Sequence, residues 1–317
     1  MTTQSGRILV LALGGTIACR PTGAGLVPGL TAADLLAAID VPPGLTVDGV
    51  DPMTRTILYP ADWVALCELV AHHRSKYDGF VITLGTDTLA HAAAALSLML
   101  HGLDRTVVLT GAMQAIGGKE GRPARRNLGD ALRVAAAGHA GVFVVFQGKI
   151  IDGCCASKQR SDSDDAFESI NAAPWGKVSG GKLRWRRRPP SPAGRFRLRT
   201  AANLNVALLQ LAPQTTPAAV EALGGYDGVV VAGYGDGNVS DNLVAALGAL
   251  AARRLVVLTS QCPHGAVRHR YAGGAALIRA GALSAGTLSV EMATVKLMWA
   301  LGQGRTIAGA RRLFRTA

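Results

Sequence analysis

Short apolar runs rich in β-branched residues alternate with longer stretches rich in Ala and Leu along this chain. In its first half the predicted strands are residues 7–13, 79–84, 105–110 and 141–146. The predicted helices are residues 31–39, 60–75, 89–100 and 127–137. Parallel strands need crossovers of about a dozen residues or more, usually helices, so the alternation predicts a parallel sheet covered by helices.

The alternation resumes on a smaller scale after residue 203. The predicted strands there are residues 206–211, 228–232 and 255–259, and the predicted helices are residues 216–223, 241–252, a segment near Ala275 and residues 290–301. We therefore predict an α/β protein, with a doubly wound, mostly parallel sheet of the Rossmann or flavodoxin type and a second, smaller α/β domain. The predicted boundaries are residues 1–185 for the N-terminal domain, 186–202 for a connector and 203–317 for the C-terminal domain.

Composition excludes several classes of protein. With 49% hydrophobic and 17% charged residues, the 317-residue chain can bury a core, which excludes extended disorder. The longest apolar helical stretch, residues 92–100, is shorter than the ~20 residues that span a bilayer, so no membrane segment is predicted. The segment ending at Cys19 superficially resembles a lipoprotein signal, but its apolar core is very short, and we expect a cytoplasmic protein.

The cysteines form neither a CxxC pair nor a metal-ligand spacing. They are Cys19, Cys67, Cys154, Cys155 and Cys262. This usage predicts no zinc site and no disulfide framework, and it suits a reducing compartment. The glycines after the first strand lack the G-x-G-x-x-G spacing of a dinucleotide loop. We therefore expect neither a metal nor another cofactor.

The net charge of +12 is concentrated in one segment. Eight Lys and Arg residues and no acidic residue lie between Lys182 and Arg199, where three prolines interrupt them. Such a tract is typical of a solvated connector between domains. Nucleic-acid binding is the alternative, since Trp185 and Phe196 could stack on bases, but we expect the connector instead.

Two polar loops follow predicted strands. Gly14, Gly15 and Thr16 come after the first strand, where the glycines permit a sharp turn and Thr16 offers a hydroxyl. Gly85-Thr86-Asp87-Thr88 follows the strand at 79–84 and opens the next helix. Because parallel strands end at the same edge of a sheet, we expect the two loops to converge. The alternatives are an ordinary turn for the first loop and a helix N-cap for the second.

A hydroxyl becomes a good nucleophile only when a neighbouring base takes its proton. The seven histidines lie in predicted helices or late loops and no G-x-S-x-G motif is present, so a Ser-His-Asp triad is not expected. Lys158, after the strand that ends at Phe146, is the other candidate base. Composition alone favours a solvated loop residue at that position.

With these motifs the chain resembles the bacterial-type L-asparaginases, which are two-domain, threonine-dependent amidohydrolases. The matching segments span nearly the whole chain. They are residues 14–18, Asp62-Trp63, residues 79–88, residues 109–113, Asn127-Leu128, Lys158 nine residues before Phe167, residues 169–171, residues 235–238 and residues 259–261.

The resemblance implies conversion of L-asparagine to L-aspartate and ammonia through an acyl-enzyme in the N-terminal domain. It implies that Thr16 is the nucleophile and that Thr86, Asp87 and Lys158 form a second triad for proton transfer. Asp87 would also hold the amino group of the substrate. The implied substrate-binding residues are Gly15, Thr54, Arg55, Thr56, Gly85, Thr86, Asp87, Ala112, Met113 and Asn238.

The implied chemistry places demands on the site. Lys158 must lose its charge to act as a base, which burial favours and Asp87 opposes. Attack on the amide carbon builds negative charge on oxygen, for which backbone N–H groups of the Gly-rich turn and of Gly111-Ala112 are expected donors.

Two positions depart from the family pattern. Family members usually carry a tyrosine in the mobile loop after the first threonine, whereas this chain has Leu26 and no tyrosine before Tyr59. The family usually has a serine for the substrate's α-carboxylate where this chain has Arg55. An arginine can pair with a carboxylate bidentately, so we expect the site either to survive with altered selectivity or to accept a different acid.

The resemblance also implies a small amino-acid amide as the binding partner, and a homotetramer or homodimer in which Asn238 approaches a neighbour's site. The acidic residue that usually accompanies it is not evident near His269 and Arg270. Two alternatives stay open. One is an amidase of the same fold for L-glutamine, D-asparagine or glutaminyl-tRNA, and the other is an amino-acid binding or sensing protein that has lost turnover.

Overall fold

The computed structural model of the chain describes residues 5–23, 25–192 and 194–316. The chain forms two compact units that meet in sequence between Leu198 and Arg199, inside the segment predicted as a connector. Residues 1–4, 24, 193 and 317, which fall within predicted segments, lie outside the described residues. Each unit has its own sheet and core.

The first unit combines strands and helices in alternation. Its strands are β1 (Gly6–Ala12), β2 (Cys19–Thr22), β3 (Gly25–Pro28), β4 (Leu45–Val50), β5 (Gly79–Thr83), β6 (Leu100–His101), β7 (Thr106–Thr110), β8 (Gly141–Phe146), β9 (Lys149–Asp152), β10 (Ala156–Lys158), β11 (Phe167–Ser169), β12 (Gly176–Ser179), β13 (Lys182–Trp185) and β14 (Arg197–Leu198). Its helices are α1 (Ala32–Ala37), α2 (Pro60–His73), α3 (Thr86–Met99) and α4 (Arg122–Ala135), with a short 3₁₀ turn at Thr16–Ala18.

Eight of these strands form one sheet in the order β13-β12-β9-β8-β7-β5-β1-β4. Strands β4, β1, β5, β7 and β8 are parallel, and β9, β12 and β13 extend the sheet as antiparallel strands. Strands β5 and β7 are buried along their whole length, as expected for a sheet covered on both faces. The predicted α/β class with a mostly parallel sheet is confirmed.

Local sequence accounts for several helix positions. The predicted Thr31 and Asp34 capping box is present, with the Asp34 N–H donating to Thr31 Oγ1 at 3.2 Å. Helix α3 begins at Thr86, three residues before the predicted start, because Gly85 already has extended backbone angles and acts as its N-cap. Helix α4 begins five residues before the predicted start, with Pro123 in its first turn, a position that tolerates proline.

The second unit is a smaller α/β structure. Its parallel sheet has the order β15 (Val206–Gln210), β16 (Gly228–Gly233), β17 (Leu255–Ser260) and β18 (Leu283–Ser284). Its helices are α5 (Pro217–Glu221), α6 (Asp241–Ala251), α7 (Ala272–Arg279), α8 (Val290–Gln303) and α9 (Ile307–Thr316), with a 3₁₀ turn at Ala222–Gly225. None of the helices in the described parts of either unit is long and apolar enough to cross a bilayer.

The basic tract from Lys182 to Arg199 is not a connector throughout. Its first four residues form β13, the edge strand of the large sheet, and Arg197–Leu198 pairs with β6. Polar side chains on alternate positions suit an edge strand with one exposed face, and this alternation is hidden in a run of positive charge. The connector interpretation of the whole tract was therefore wrong for its two ends.

Strands β4, β1 and β5 bring three loops together at their carboxyl ends. The Leu13 N–H donates to Thr83 O at 2.9 Å, and the Arg55 N–H donates to Leu13 O at 2.7 Å. Gly15 has φ 74°, and a Cβ there would overlap the backbone of Gly85. A Cβ at Gly85 would in turn overlap the carbonyl oxygen of Thr56. These backbone segments approach so closely that side chains cannot separate them.

Replacement of Gly85 by alanine tests this close approach. Gly85 has φ −63° and ψ 136°, which alanine adopts freely, so the new strain is the overlap with Thr56 O. We expect G85A to lower the free energy of unfolding by about 1–3 kcal/mol in urea titrations. The matched control is Gly117→Ala, where a Cβ meets no atom within 4 Å and the change should stay within about 0.5 kcal/mol. Equal stability of the two variants would contradict the packing argument.

Three basic residues lie side by side on the neighbouring strands β9, β12 and β13 at one edge of the large sheet. Their arrangement gives a second prediction. Lys177 lies directly opposite Lys149 on one side and Arg184 on the other. Like charges in directly opposite positions destabilise a sheet, so Lys177→Glu is expected to raise the unfolding free energy by about 0.2–1 kcal/mol at low salt. The gain should shrink at an ionic strength of about 1 M because salt screens it.

Lys182→Glu is the control for that experiment, because Lys182 lies opposite Ser179 and the charge change is the same. If both variants gain equally, the effect comes from the reduced net charge and not from the cross-strand row.

Candidate active site

Thr16 lies at the start of a short 3₁₀ turn directly after β1, where Gly14 and Gly15 both have positive φ. Its side chain is half-buried. The Cys19 thiol donates to Gly15 O at 3.3 Å, and burial raises the pKa of this thiol, which keeps it protonated as a donor. The turn that presents Thr16 is therefore held by its own sequence neighbours.

Lys158 connects two residues at the beginning of α3. Its Nζ donates to Thr86 Oγ1 at 2.8 Å and to Asp87 Oδ1 at 2.6 Å. Thr86 is buried, the Lys158 side chain is 20% exposed and the Asp87 side chain is 73% exposed. The three groups thus form a polar chain that runs from the interior to solvent, and the structure brings them together as a contact set.

The position of Lys158 differs from what composition alone suggests. It ends strand β10, which pairs with β11 so that Lys158 lies opposite Phe167. The interpretation as a solvated loop residue was therefore wrong. Its side chain is 20% exposed, and its amine has a carboxylate partner, which stabilises a charge that is partly withdrawn from water.

Thr86 and Asp87 do not serve as helix caps. Gly85 is the N-cap of α3, and no side chain there makes a capping hydrogen bond. Both polar side chains contact Lys158 instead, while Thr88 Oγ1 accepts a hydrogen bond from the Leu58 N–H at 3.1 Å. Asp87 lies in the first turn of α3, where the helix dipole favours its negative charge.

The loop after β7 reaches the Thr16 turn. The Ile116 N–H donates to Ile17 O at 3.1 Å, and Ala112 is fully buried within this loop while Met113 is half-buried. Gly111 packs near Thr86, since a Cβ there would lie 3.4 Å from Thr86 Cγ2. The loop therefore lies beside both the methyl group of Thr86 and the turn that carries Thr16.

The segment Thr54–Thr56 lies against the two glycine loops. A Cβ at Gly14 would lie 3.5 Å from Thr54 Cγ2 and 3.2 Å from Arg55 O. The Arg55 side chain is 55% exposed and forms an ion pair with Asp62, with Nε 3.6 Å from Oδ1. The other Asp62 oxygen accepts from the Tyr59 N–H at 2.8 Å. Asp62 thus holds one edge of the guanidinium, and the terminal amino groups of Arg55 have no partner among the described residues.

Leu26 lies on the short hairpin of β2 and β3, directly opposite Pro21, and its side chain is 52% exposed. The segment in which family members usually carry a tyrosine hydroxyl therefore presents an apolar side chain to solvent.

Asn238 belongs to the second compact unit. It closes a turn that begins at Tyr234, and its Oδ1 accepts from the Val239 N–H at 2.9 Å. In the same unit Arg270 pairs with Asp236 at 2.7 Å. Asp236 is the acidic partner near Arg270, and no local pattern indicates this pair because 34 positions separate the two residues.

Two residues with structural roles at the site were given no role from sequence. Asn127 on α4 donates from Nδ2 to Gly111 O at 2.9 Å, and Thr88 accepts from the Leu58 N–H. Their motifs are visible in the sequence, but the partners are non-local and no spacing rule identifies them. Within residues 5–23, 25–192 and 194–316, no group of three or more His, Cys, Asp or Glu side chains is placed to hold a metal ion.

Comparison with known proteins identifies the same two-part organisation. The family described as "Asparaginase, N-terminal" matches residues 7–191, and the "Glutaminase/Asparaginase C-terminal domain" matches residues 205–314. An L-asparaginase of Thermococcus kodakarensis is 36% identical over 316 residues, which cover 97% of this chain and 96% of that protein. A subunit of the glutamyl-tRNA(Gln) amidotransferase of Pyrococcus furiosus is 32% identical over 98% of this chain and 75% of that protein.

Solved structures agree with these matches. The thermostable L-asparaginase of Thermococcus kodakarensis has a TM-score of 0.93 at 35% identity, covering 98% of this chain and 97% of that one. L-asparaginase I of Vibrio cholerae has a TM-score of 0.87 at 26% identity, covering 99% and 98%. The resemblance inferred from the motifs is thereby confirmed, and the chain belongs to the asparaginase family.

Proposed function

We propose that this protein is an L-asparaginase, which hydrolyses the side-chain amide of L-asparagine to L-aspartate and ammonia. The observation that carries the proposal is the contact chain from Thr86 through Lys158 to Asp87, next to a glycine turn that presents Thr16. The L-asparaginase of Thermococcus kodakarensis, similar over almost the whole chain, supports the same activity.

Thr16 is the nucleophile in this proposal. Its Oγ1 forms a bond to the amide carbon of the substrate, and the hydroxyl proton passes to the base formed by Thr86 and Lys158. The carbon–nitrogen bond then breaks, the leaving nitrogen takes up that proton, and ammonia departs. An ester between Thr16 and the substrate acyl group remains, which a water molecule hydrolyses to release L-aspartate.

Asp87 links substrate binding to the hydrogen bonding of Lys158, because both the substrate and the lysine bind its carboxylate. Its carboxylate is mostly exposed, so the ammonium group of an amino-acid substrate can reach it. Asp87 Oδ1 accepts a hydrogen bond from Lys158 Nζ at 2.6 Å. A substrate ammonium on Asp87 competes for this carboxylate, and it thereby frees the lysine amine to act at Thr86.

Backbone N–H groups of the Gly15–Thr16 turn and of Ala112 supply hydrogen bonds to the oxygen that becomes negative during attack. The close approach of Gly15 to Gly85 keeps the turn in place beside Thr86. We further propose a cytoplasmic homo-oligomer in which Asn238 contributes to a neighbouring subunit's site. A fully active monomer in size-exclusion chromatography would contradict the oligomer.

Substitution of the nucleophile is the direct test. We expect Thr16→Ala to lower kcat for ammonia release from L-asparagine by a factor on the order of 10³–10⁶, because no covalent intermediate can form. Thr16→Ser should keep measurable turnover, since it retains a hydroxyl. The control is Thr46→Ala, an exposed hydroxyl on β4 in the same unit.

The substrate panel for that assay contains L-asparagine, D-asparagine and L-glutamine. If D-asparagine or L-glutamine is turned over faster than L-asparagine, that compound is the preferred substrate instead. Calorimetric binding of L-aspartate with no ammonia release from any amide would instead indicate a binding protein without turnover, and the proposed function would be wrong.

Arg55 generates a separate prediction about substrate recognition. With Asp62 on its Nε edge, the terminal amino groups of Arg55 are available to the α-carboxylate of an amino acid. Arg55→Gln is therefore expected to raise KM for L-asparagine at least about tenfold, the effect of losing ~1.4 kcal/mol of binding, with little change in kcat. Arg74→Gln, which breaks the ion pair between Arg74 and Asp104, is the control. If the two variants have the same KM, Arg55 does not bind the carboxylate.

A further inference from the structure

Asn127 joins the loops that follow two neighbouring strands. It is fully buried on α4, its Nδ2 donates to Gly111 O at 2.9 Å, and its Oδ1 accepts from the Gln147 N–H at 2.9 Å. Gly111 directly follows β7, and Gln147 directly follows β8. Both polar ends of one amide side chain are therefore used on backbone groups at the carboxyl edge of the sheet.

The environment of Asn127 gives no other reason for a polar residue. Its helix neighbours Ala124, Leu128 and Ala131 are buried apolar residues of the main core. A buried amide left without hydrogen bonds costs about 1–3 kcal/mol, so this position tolerates asparagine only because both backbone partners are present. The hydrogen bonds to Gly111 and Gln147 therefore explain this asparagine better than core packing does.

The geometry of the peptide unit extends this contact to the next residue. A trans peptide is planar, and its C=O and N–H point in opposite directions. When Asn127 holds Gly111 O, the N–H of Ala112 must point away from α4. Gly111 also lies beside Thr86, since a Cβ at Gly111 would be 3.4 Å from Thr86 Cγ2. Rotation of this peptide would break the bond to Asn127.

We infer that Asn127 is a positioning residue that orients the Ala112 N–H as a donor to the oxygen that becomes negative during attack by Thr16. The inference rests on the proposed function. Asn127 itself touches no reacting atom, so its contribution is to keep one backbone donor aimed before the reaction begins. Such preorganisation acts on the transition state and affects substrate binding much less.

Asn127→Asp is the decisive variant. It keeps the size of the side chain and the acceptor for the Gln147 N–H, but when ionised it replaces the donor to Gly111 O with an oxygen that repels it. Because burial favours the protonated carboxyl, whose O–H can donate, kcat is measured at both pH 7 and pH 9. We expect kcat for L-asparagine to fall about 10²–10³-fold, the effect of losing one oxyanion donor. KM and the calorimetric Kd for L-aspartate should change less than about threefold, because the ground state does not depend on that donor.

Thr106→Val is the matched control. Thr106 is equally buried on β7, and its Oγ1 donates to His139 O at 2.7 Å at the opposite end of the strand. It should lose comparable stability with kcat within about threefold of wild type. Asn127→Ser, measured alongside it, is smaller but keeps a donor, and it should recover part of the kcat lost in Asn127→Asp if a water molecule or the hydroxyl bridges to Gly111 O.

The outcomes separate the inference from the proposed function. Wild-type ammonia release from L-asparagine decides the function. If the wild type is active and Asn127→Asp lowers kcat no more than Thr106→Val does, or raises KM and Kd in proportion, Asn127 is a structural residue only and the inference is wrong while the function stands. If the wild type is inactive while Asn127→Asp folds and binds L-aspartate normally, both are overturned.

Discussion

The contact between Lys158 and the beginning of α3 organises this site. Lys158 is on a two-stranded hairpin outside the large sheet, and Thr86 and Asp87 lie more than 70 positions earlier in the chain. A largely buried ammonium is costly unless a carboxylate and further hydrogen-bond partners accompany it. Asp87 and Thr86 supply both, so the contact that stabilises the hairpin against α3 also places an amine next to a hydroxyl. The physical requirement for burying the lysine and the chemical requirement for moving a proton select the same geometry.

The glycines at the strand ends make that geometry compact. Gly15, Gly85 and the carbonyl of Thr56 approach without intervening side chains, so three loops lie at one edge of the sheet. A fourth loop, which follows β7, is held by the hydrogen bond from Asn127 to Gly111 O. Most of these constraints are contacts to backbone atoms, which cannot change rotamer. The functional side chains are thus attached to a framework of backbone contacts. The Arg55 backbone belongs to that framework, but the side chains of Leu26 and Arg55, which depart from the family pattern, are exposed and lie outside it.

Local patterns predicted much of this fold. Buried parallel strands such as β5, β7 and β8 are continuous apolar runs, and the capping box at Thr31 and Asp34 involves residues only three positions apart. Two short strands were missed although their partners are close in sequence, because β10 has three residues and β13 is hidden in a run of charge. In the site, too, local features were predictable from sequence and contacts between distant residues were not. Thr86 and Asp87 were recognisable at a strand end, whereas the burial of Lys158, the Arg55–Asp62 pair and the Asn127 contact depend on residues that only the folded chain brings together.

The proposed use of Asp87 gives the Lys158 contact a further consequence. The Asp87 carboxylate is bound to the Lys158 amine, and an amide that lacks an amino group has nothing with which to displace it. Such a ligand can occupy the cleft while Lys158 stays paired with Asp87. An amino-acid amide brings its own ammonium group to Asp87, so the charge that identifies the substrate is also the charge that releases the base. In this mechanism, selection for amino-acid amides acts on kcat as well as on binding, because it is exerted through the same ion pair that holds the hairpin to α3.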